Sequence, residues 1–244
     1  MSDPCTQCGG VGLIRRGNGS YPCSCQFERQ QRARLNRIRI PAKFEHATLE
    51  NYVAGPQGLH ALTWARRYVD EYIPGKTATG LLFFGSVGVG KTHLAVGILR
   101  KLAEEKGIEG RMVDIRELLD QLRSSYDERN ERSQESQAQV LASILKAELI
   151  LIDELGAAKP SDWVYETLEL LIGTLYNRAR PVIVTTNMGN RGPFNPGNRY
   201  EENEYARAAR AETLGDRIGL RMWSRLQQMC RPVEINGSDW RQQR

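Results

Sequence analysis

The segment Gly85-Ser86-Val87-Gly88-Val89-Gly90-Lys91-Thr92 matches the pattern G-x-x-x-x-G-K-[ST]. Its flanks fit the chemistry: the apolar run GLLFF leads in as a strand, and THLAVGILRKLAEE leads out with helical periodicity. Glycines let backbone N–H groups curl around phosphate oxygens where side chains would obstruct. The helix that follows adds its positive N-terminus to the same anion. Lys91 is then placed to reach the β- and γ-phosphates, and the Thr92 hydroxyl to bind Mg2+.

Two further strand ends complete this chemistry. Leu149-Ile-Leu-Ile-Asp153-Glu154 delivers two adjacent carboxylates at the edge where open α/β sheets bind ligands. Asp153 is suited to hold Mg2+, directly or through water, and Glu154 to polarise an attacking water. Alone such an acidic strand end is a weak signal. About sixty residues after a phosphate loop it becomes a strong one. Pro181-Val-Ile-Val-Thr-Thr-Asn187 ends in small polar residues. Its strand is expected between the other two, so the Asn187 amide could orient the same water; an asparagine that merely forms a turn reads equally well there.

A second group of residues points to metal. Cys5-x2-Cys8 and Cys23-x-Cys25 are separated by fourteen residues, with glycines at 9, 10, 12, 17 and 19 to turn the chain. Four thiolates in two close pairs suit tetrahedral Zn2+. A segment this polar cannot bury a core of its own, so metal would supply its folding energy. Disulfides are the rival reading, but nothing in the sequence points to an oxidising compartment. Cys230 stands apart and reads as an inert core residue.

The elements that must position these groups follow from pattern. Strands are expected at 81–84, 111–115, 149–152, 181–186 and 232–235. Helices are expected at about 58–72, 92–106, 115–126, 137–147 and 163–177, with Ser161 and Asp162 as N-cap candidates for the last. This alternation predicts an α/β fold with a parallel sheet. Residues 127–136 read as a polar loop and 189–199 as a long mobile one. Residues 28–40 read as a basic helix ending before Pro41. Arg29, Arg32, Arg34, Arg37 and Arg39 are spread around it, and Leu35, Ile38 and Phe27 could form a narrow apolar stripe. The expected division is a cysteine arm at 1–27, a basic helix or linker at 28–40 and an ATPase domain at 41–244.

Taken together, the sequence resembles the AAA+ ATPases of the DnaC/DnaI helicase-loader group, relatives of the IstB transposition helper ATPases. The resemblance rests on Ile40–Asn51 (IPAKFEHATLEN), GSVGVGKTHLA, LILIDELG, Tyr176–Asn187 (YNRARPVIVTTN), Ser224–Cys230 (SRLQQMC) and Gly237–Arg241 (GSDWR), nearly the whole chain. It implies an AAA+ P-loop core with a five-stranded parallel sheet. It places Walker A on Gly85–Thr92, Walker B on Asp153 and Glu154, and sensor 1 on Asn187. It also implies ATP with Mg2+, self-association through a nucleotide site shared between subunits, an arginine finger in trans, single-stranded DNA and a replicative DNA helicase as partners. The N-terminal part binds the helicase in the group it resembles. The IstB alternative is a transposition regulator that binds and remodels target DNA. The family's short segment before the finger is long here. Arg217, Arg221 and Arg225 then recur at helical spacing. Matching from Ser-Arg-Leu picks Arg225, favoured by the downstream Gln-Gln-Met-Cys; matching from Leu214-Gly-Asp-Arg217 picks Arg221; either could instead lie on a solvated basic face. The chain ends soon after Arg241, which leaves no room for a separate helical lid.

Charge and composition narrow the rest. The 244 residues are 40% hydrophobic and 26% charged, as in a folded soluble protein. Residues 1–48 hold eight Lys/Arg against three Asp/Glu, the whole net excess of +5. That basic arm suits a polyanion or an acidic protein surface. No run approaches the roughly 18 apolar residues of a membrane helix, and the N-terminus has no secretory pattern. A cytoplasmic protein with no membrane association is expected.

Overall fold

The computed structural model describes residues 5–17, 19–53, 55, 58–124, 131–193 and 212–240. A two-stranded antiparallel hairpin, β1 (Leu13–Arg16) and β2 (Gly19–Pro22), leads directly into helix α1 (Ser24–Ile38). A short 3-10 turn at Ala42–Phe44 precedes α2 (Gly58–Glu71), β3 (Gly80–Gly85), α3 (Lys91–Glu105), β4 (Gly110–Asp114) and α4 (Ile115–Ser124). Then come α5 (Glu131–Ile144), β5 (Leu149–Asp153), α6 (Asp162–Asn177), β6 (Val182–Thr186), α7 (Leu214–Ile218), α8 (Leu220–Met229) and β7 (Cys230–Ile235).

Strands β3 to β7 form one five-stranded sheet in the order β4-β5-β6-β3-β7, every pair parallel. The five expected strands are therefore all present, and β6 lies between β5 and β3 as anticipated. Parallel strands are covered on both faces, which is why β5 and β6 are buried at every position. Alternate residues feed two cores. Leu81, Phe83, Leu149, Leu151 and Ile183 pack under α1, α2 and α3. Leu82, Ile150, Ile152, Val182 and Val184 pack under α4 to α8.

Local chemistry sets the helix ends. The Ser161 hydroxyl accepts from Val164 N at 3.3 Å and starts α6. Thr213 and Asp216 form a reciprocal capping box on α7. Lys106 collects the end of α2, its Nζ donating to the carbonyls of Val69, Asp70 and Tyr72.

Some expectations change. α5 begins at Glu131, inside the segment read as a polar loop, because Glu, Arg, Gln and Ala hold helix by propensity without an apolar stripe. α1 starts at Ser24 and so takes in Cys25; it stops at Arg39, whose φ of 61° ends the helix two residues before Pro41. Leu35 and Ile38 do pack into the core, whereas Phe27 is 58% exposed and does not join them. The arginine run is not one helix: Gly219 (φ 83°) separates Arg217 on α7 from Arg221 and Arg225 on α8. Of the long loop expected at 189–199, residues 194–199 lie outside the described residues. No α-helix follows β7 among the described residues. None of their helices is long and apolar enough to cross a membrane.

Candidate functional site

The C-terminal ends of β3, β5 and β6 lie side by side, and the phosphate loop leaves β3 there. Gly90 (φ 90°) caps α3, and a Cβ on it would stand 2.6 Å from a ring carbon of Tyr52. The Tyr52 hydroxyl donates to Val89 O at 3.0 Å and pins the loop from outside. His93, one turn into α3, places Nε2 2.8 Å from Thr48 O and 2.9 Å from Asn51 Oδ1. Both partners accept, so Nε2 carries the proton. Burial lowers the His93 pKa from its ordinary value, which suits a neutral ring. The segment matched at Ile40–Asn51 thus braces the loop, a role that Tyr52 and His93 share and that their positions in sequence did not signal.

Lys91 is buried, and its ammonium donates to Gly85 O at 3.0 Å and to Ser86 O. It holds the curl of the loop from within. Thr92 Oγ1 donates to Asp153 Oδ1 at 2.7 Å, joining the two expected Mg2+ ligands across 61 residues of chain. Asp153 is 2% exposed. Burial raises its carboxyl above the usual carboxylate range, with the hydrogen bonds from Thr185 and Thr92 pulling the other way. A buried carboxylate beside a hydroxyl is a hard oxygen pair that fits a divalent cation, and a cation would relieve that burial cost.

Thr185 is the site residue that the sequence reading passed over. Its hydroxyl donates to Asp153 Oδ1 at 2.6 Å and accepts from Glu154 N at 3.0 Å, while its carbonyl accepts from Leu155 N at 2.9 Å. Thr186 repeats the lock one residue on, donating to Leu155 O at 2.7 Å and accepting from Met188 N. Glu154 is held in the left-handed region, φ 56°, a conformation that costs a non-glycine residue of the order of 1 kcal/mol. Glu154 lines a cavity of about 810 Å³ together with Lys91, Thr92 and Asn187. Val87, Gly88 and Gly90 line the same cavity, and Asp153 stands behind Thr92 and Thr185.

Arg221 and Arg225 do not line the cavity. Both face Glu169 of α6, Arg221 at 2.6 Å and Arg225 at 3.8 Å, and Arg225 also lies 5.6 Å over the Tyr176 ring. Three residues after Asn187, Asn190 Oδ1 accepts from Trp223 Nε1 (3.2 Å) and Gln227 Nε2 (2.7 Å), tying the chain after β6 to α8.

The four N-terminal cysteines meet. All four Sγ atoms lie within 4.8 Å of one another, with Cys5 and Cys23 at 3.8 Å and Cys8 and Cys25 at 3.4 Å. Four sulfurs at Zn–S distances of about 2.3 Å would stand roughly 3.8 Å apart, so the spacing fits one ion. All are free thiols. Gly12 N donates to Cys8 Sγ at 3.2 Å, which lowers that thiol to about 6, while the contact with Cys8 pushes Cys25 up to about 12. Arg29 fixes the arm to its helix through Gly10 O at 3.2 Å. The helix is fixed to the core in turn, with Arg37 bonded to Glu109 and Gln31 to Glu104 O.

A family model described as "IstB-like ATP binding protein" matches residues 25–195. The replicative helicase loader DnaC of Escherichia coli (strain K12) is 29% identical over 170 residues, 67% of this chain and 66% of that protein, just under two thirds of its length. The replicative helicase loader DnaI of Bacillus subtilis (strain 168) is 21% identical over 216 residues, 88% of this chain and 64% of that protein. A crystal structure of the DnaC helicase loader superposes with a TM-score of 0.62 at 28% identity, covering 80% of this chain and 99% of that one.

Proposed function

The chain belongs to the IstB-like ATP binding protein family, and on that premise we propose that it is an ATP-dependent helicase loader. It binds ATP with Mg2+, self-associates, engages single-stranded DNA and places a replicative helicase on that strand. The observation that carries this reading is the likeness to the DnaC loader across both sequence and fold.

The chemistry follows from the site. Loop N–H groups and Lys91 receive the phosphates. Mg2+, held by Thr92 and Asp153, would neutralise phosphate charge. Glu154 accepts a proton from the attacking water as its oxygen bonds to the γ-phosphorus and the bond to ADP breaks. Asn187 orients that water. Arg225, or Arg221, from a neighbouring subunit stabilises the charge that develops. Hydrolysis then acts as a release timer. Cys5, Cys8, Cys23 and Cys25 would hold Zn2+, which would fix the arm that docks on the helicase.

The family model's description favours a second reading, an IstB-like ATPase that regulates transposition by binding and remodelling target DNA. A pull-down from the native host with and without a non-hydrolysable ATP analogue separates the two. Nucleotide-dependent capture of a replicative helicase is expected. Capture of a transposase instead would replace the loader reading.

A further inference from the structure

The segment after β7 turns back across the phosphate loop. Trp240 N donates to Gly88 O at 3.3 Å. Gly88 has φ 77°, and a Cβ there would fall 1.8 Å from Asp239 Oδ1, so only glycine leaves space for this crossing. Trp240 stands between two cavities. On one side is the nucleotide cavity; on the other is a smaller one of about 200 Å³ bounded by Tyr52, Gly55 and Val89. The indole Cζ2 lies 3.5 Å from the place a Cβ on Gly55 would occupy, so the ring packs against the chain at that glycine.

The ends of the nucleotide cavity differ in chemistry. Glu154, Thr186 and Asn187 mark the end where a γ-phosphate is processed. Lys43, Phe44, Ala47 and Trp240 supply its apolar and aromatic wall. On the ATP reading the γ-phosphate lies by Glu154 and Asn187, and this apolar and aromatic part of the lining is what remains for the base. Phe44 has Lys43 Nζ 5.0 Å over its ring. Among the described residues no ring or cation lies over the Trp240 indole. An indole that lines the cavity with no ring or cation over it can serve as a stacking platform for a nucleobase.

We infer that Trp240 is the base-stacking, specificity-determining residue of this nucleotide site, taking the adenine of ATP against its indole. The inference rests on the ATP reading above. The segment that crosses Gly88 then borders the base end of the site.

The test compares full-length wild type, Trp240→Ala and Trp240→Phe in binding ATP and inorganic tripolyphosphate, both with Mg2+. Tripolyphosphate has the phosphates without the base. Wild type should prefer ATP. Trp240→Ala should lose about tenfold or more in ATP affinity, as base–aromatic stacking contributes. Its tripolyphosphate affinity should not change, and Trp240→Phe should keep most of the preference for ATP. Equal weakening of both ligands in Trp240→Ala would mean that the tail only braces Gly88, and would overturn the stacking role. Unchanged ATP affinity would overturn it as well. Failure of wild type to bind either ligand would remove the ATP reading itself, and this inference with it.

Discussion

The Thr185 hydroxyl donates to Asp153 Oδ1 at 2.6 Å, across two adjacent strand ends and onto a carboxylate that is 2% exposed. The same hydroxyl accepts from Glu154 N, so one oxygen sets both the Asp153 carboxylate and the turn that carries Glu154. Thr185→Val keeps the shape and removes both bonds. Turnover should fall roughly 10- to 100-fold, the usual effect of losing a partner that orients a ligand. ATP affinity should change far less, and Thr185→Ser should restore turnover. Equal loss in the serine and valine variants would show that packing, not the hydroxyl, matters.

Asp153 also carries a stability signature. Its carboxyl is raised by burial, so between the unfolded and folded values the folded state binds more protons than the unfolded one. Stability of the nucleotide-free protein should therefore fall as pH rises through that window. Asp153→Asn removes this slope. Above the window it should raise Tm, at about 2–4 °C per kcal/mol regained for a chain of this size, while weakening binding of ATP with Mg2+. Thermal melts over a pH series, with and without the nucleotide, test both. A lower Tm for the asparagine variant would mean that its two hydroxyl bonds outweigh burial.

Glu154→Gln leaves the phosphate and metal contacts intact, so ATP should be bound but trapped, and assemblies should persist. Lys91→Ala should weaken binding itself. Near-normal turnover in Glu154→Gln would remove the catalytic assignment. The backbone adds a separate expectation: at φ 56°, Glu154→Gly should be more stable than Glu154→Ala by about 1 kcal/mol, readable in denaturant melts.

The cysteine arm should hold about one zinc per chain. Elemental analysis of purified protein checks this. Chelation should unfold the hairpin and weaken helicase capture, yet leave ATP binding intact, because Cys5 and Cys8 precede the hairpin, Cys23 and Cys25 stand at the start of α1, and none of them lines the nucleotide cavity. Four thiols reacting at the free rate in metal-free, fully structured protein would contradict it.

What could be read beforehand divides along a physical line. Buried parallel strands are continuous apolar runs, so the strands expected at 149–152 and 181–186 match Leu149–Asp153 and Val182–Thr186 to within a residue, and the glycine-lysine loop announces its own chemistry. Thr185 does not, because its role is a bond to a residue 32 positions away at a neighbouring strand end. Tyr52 on Val89, 37 positions apart, is the same case. The hairpin at Leu13–Pro22 has almost no buried side chain, so no periodicity marks it; the cysteine cluster and its glycine turns hold it instead.

The last expectation concerns the finger. Arg225 is 25% exposed and lies over Tyr176, so it is held in place rather than free to sweep. Arg221 is 69% exposed and, among the described residues, is tied through a surface ion pair with Glu169, a contact that contributes little. Preorganisation favours Arg225 for charge stabilisation. Arg225→Ala should bind ATP normally, since neither arginine lines its own cavity, and should lose roughly a thousandfold in hydrolysis. Mixing it with Lys91→Ala protein is decisive. In a mixed assembly the intact cavity of the Arg225→Ala subunit meets the intact arginine of the Lys91→Ala subunit, and two inactive proteins should regain partial activity. If Arg225→Ala shows no complementation and Arg221→Ala does, the finger is Arg221, one turn earlier on α8. If neither complements, hydrolysis does not use an arginine of this helix in trans.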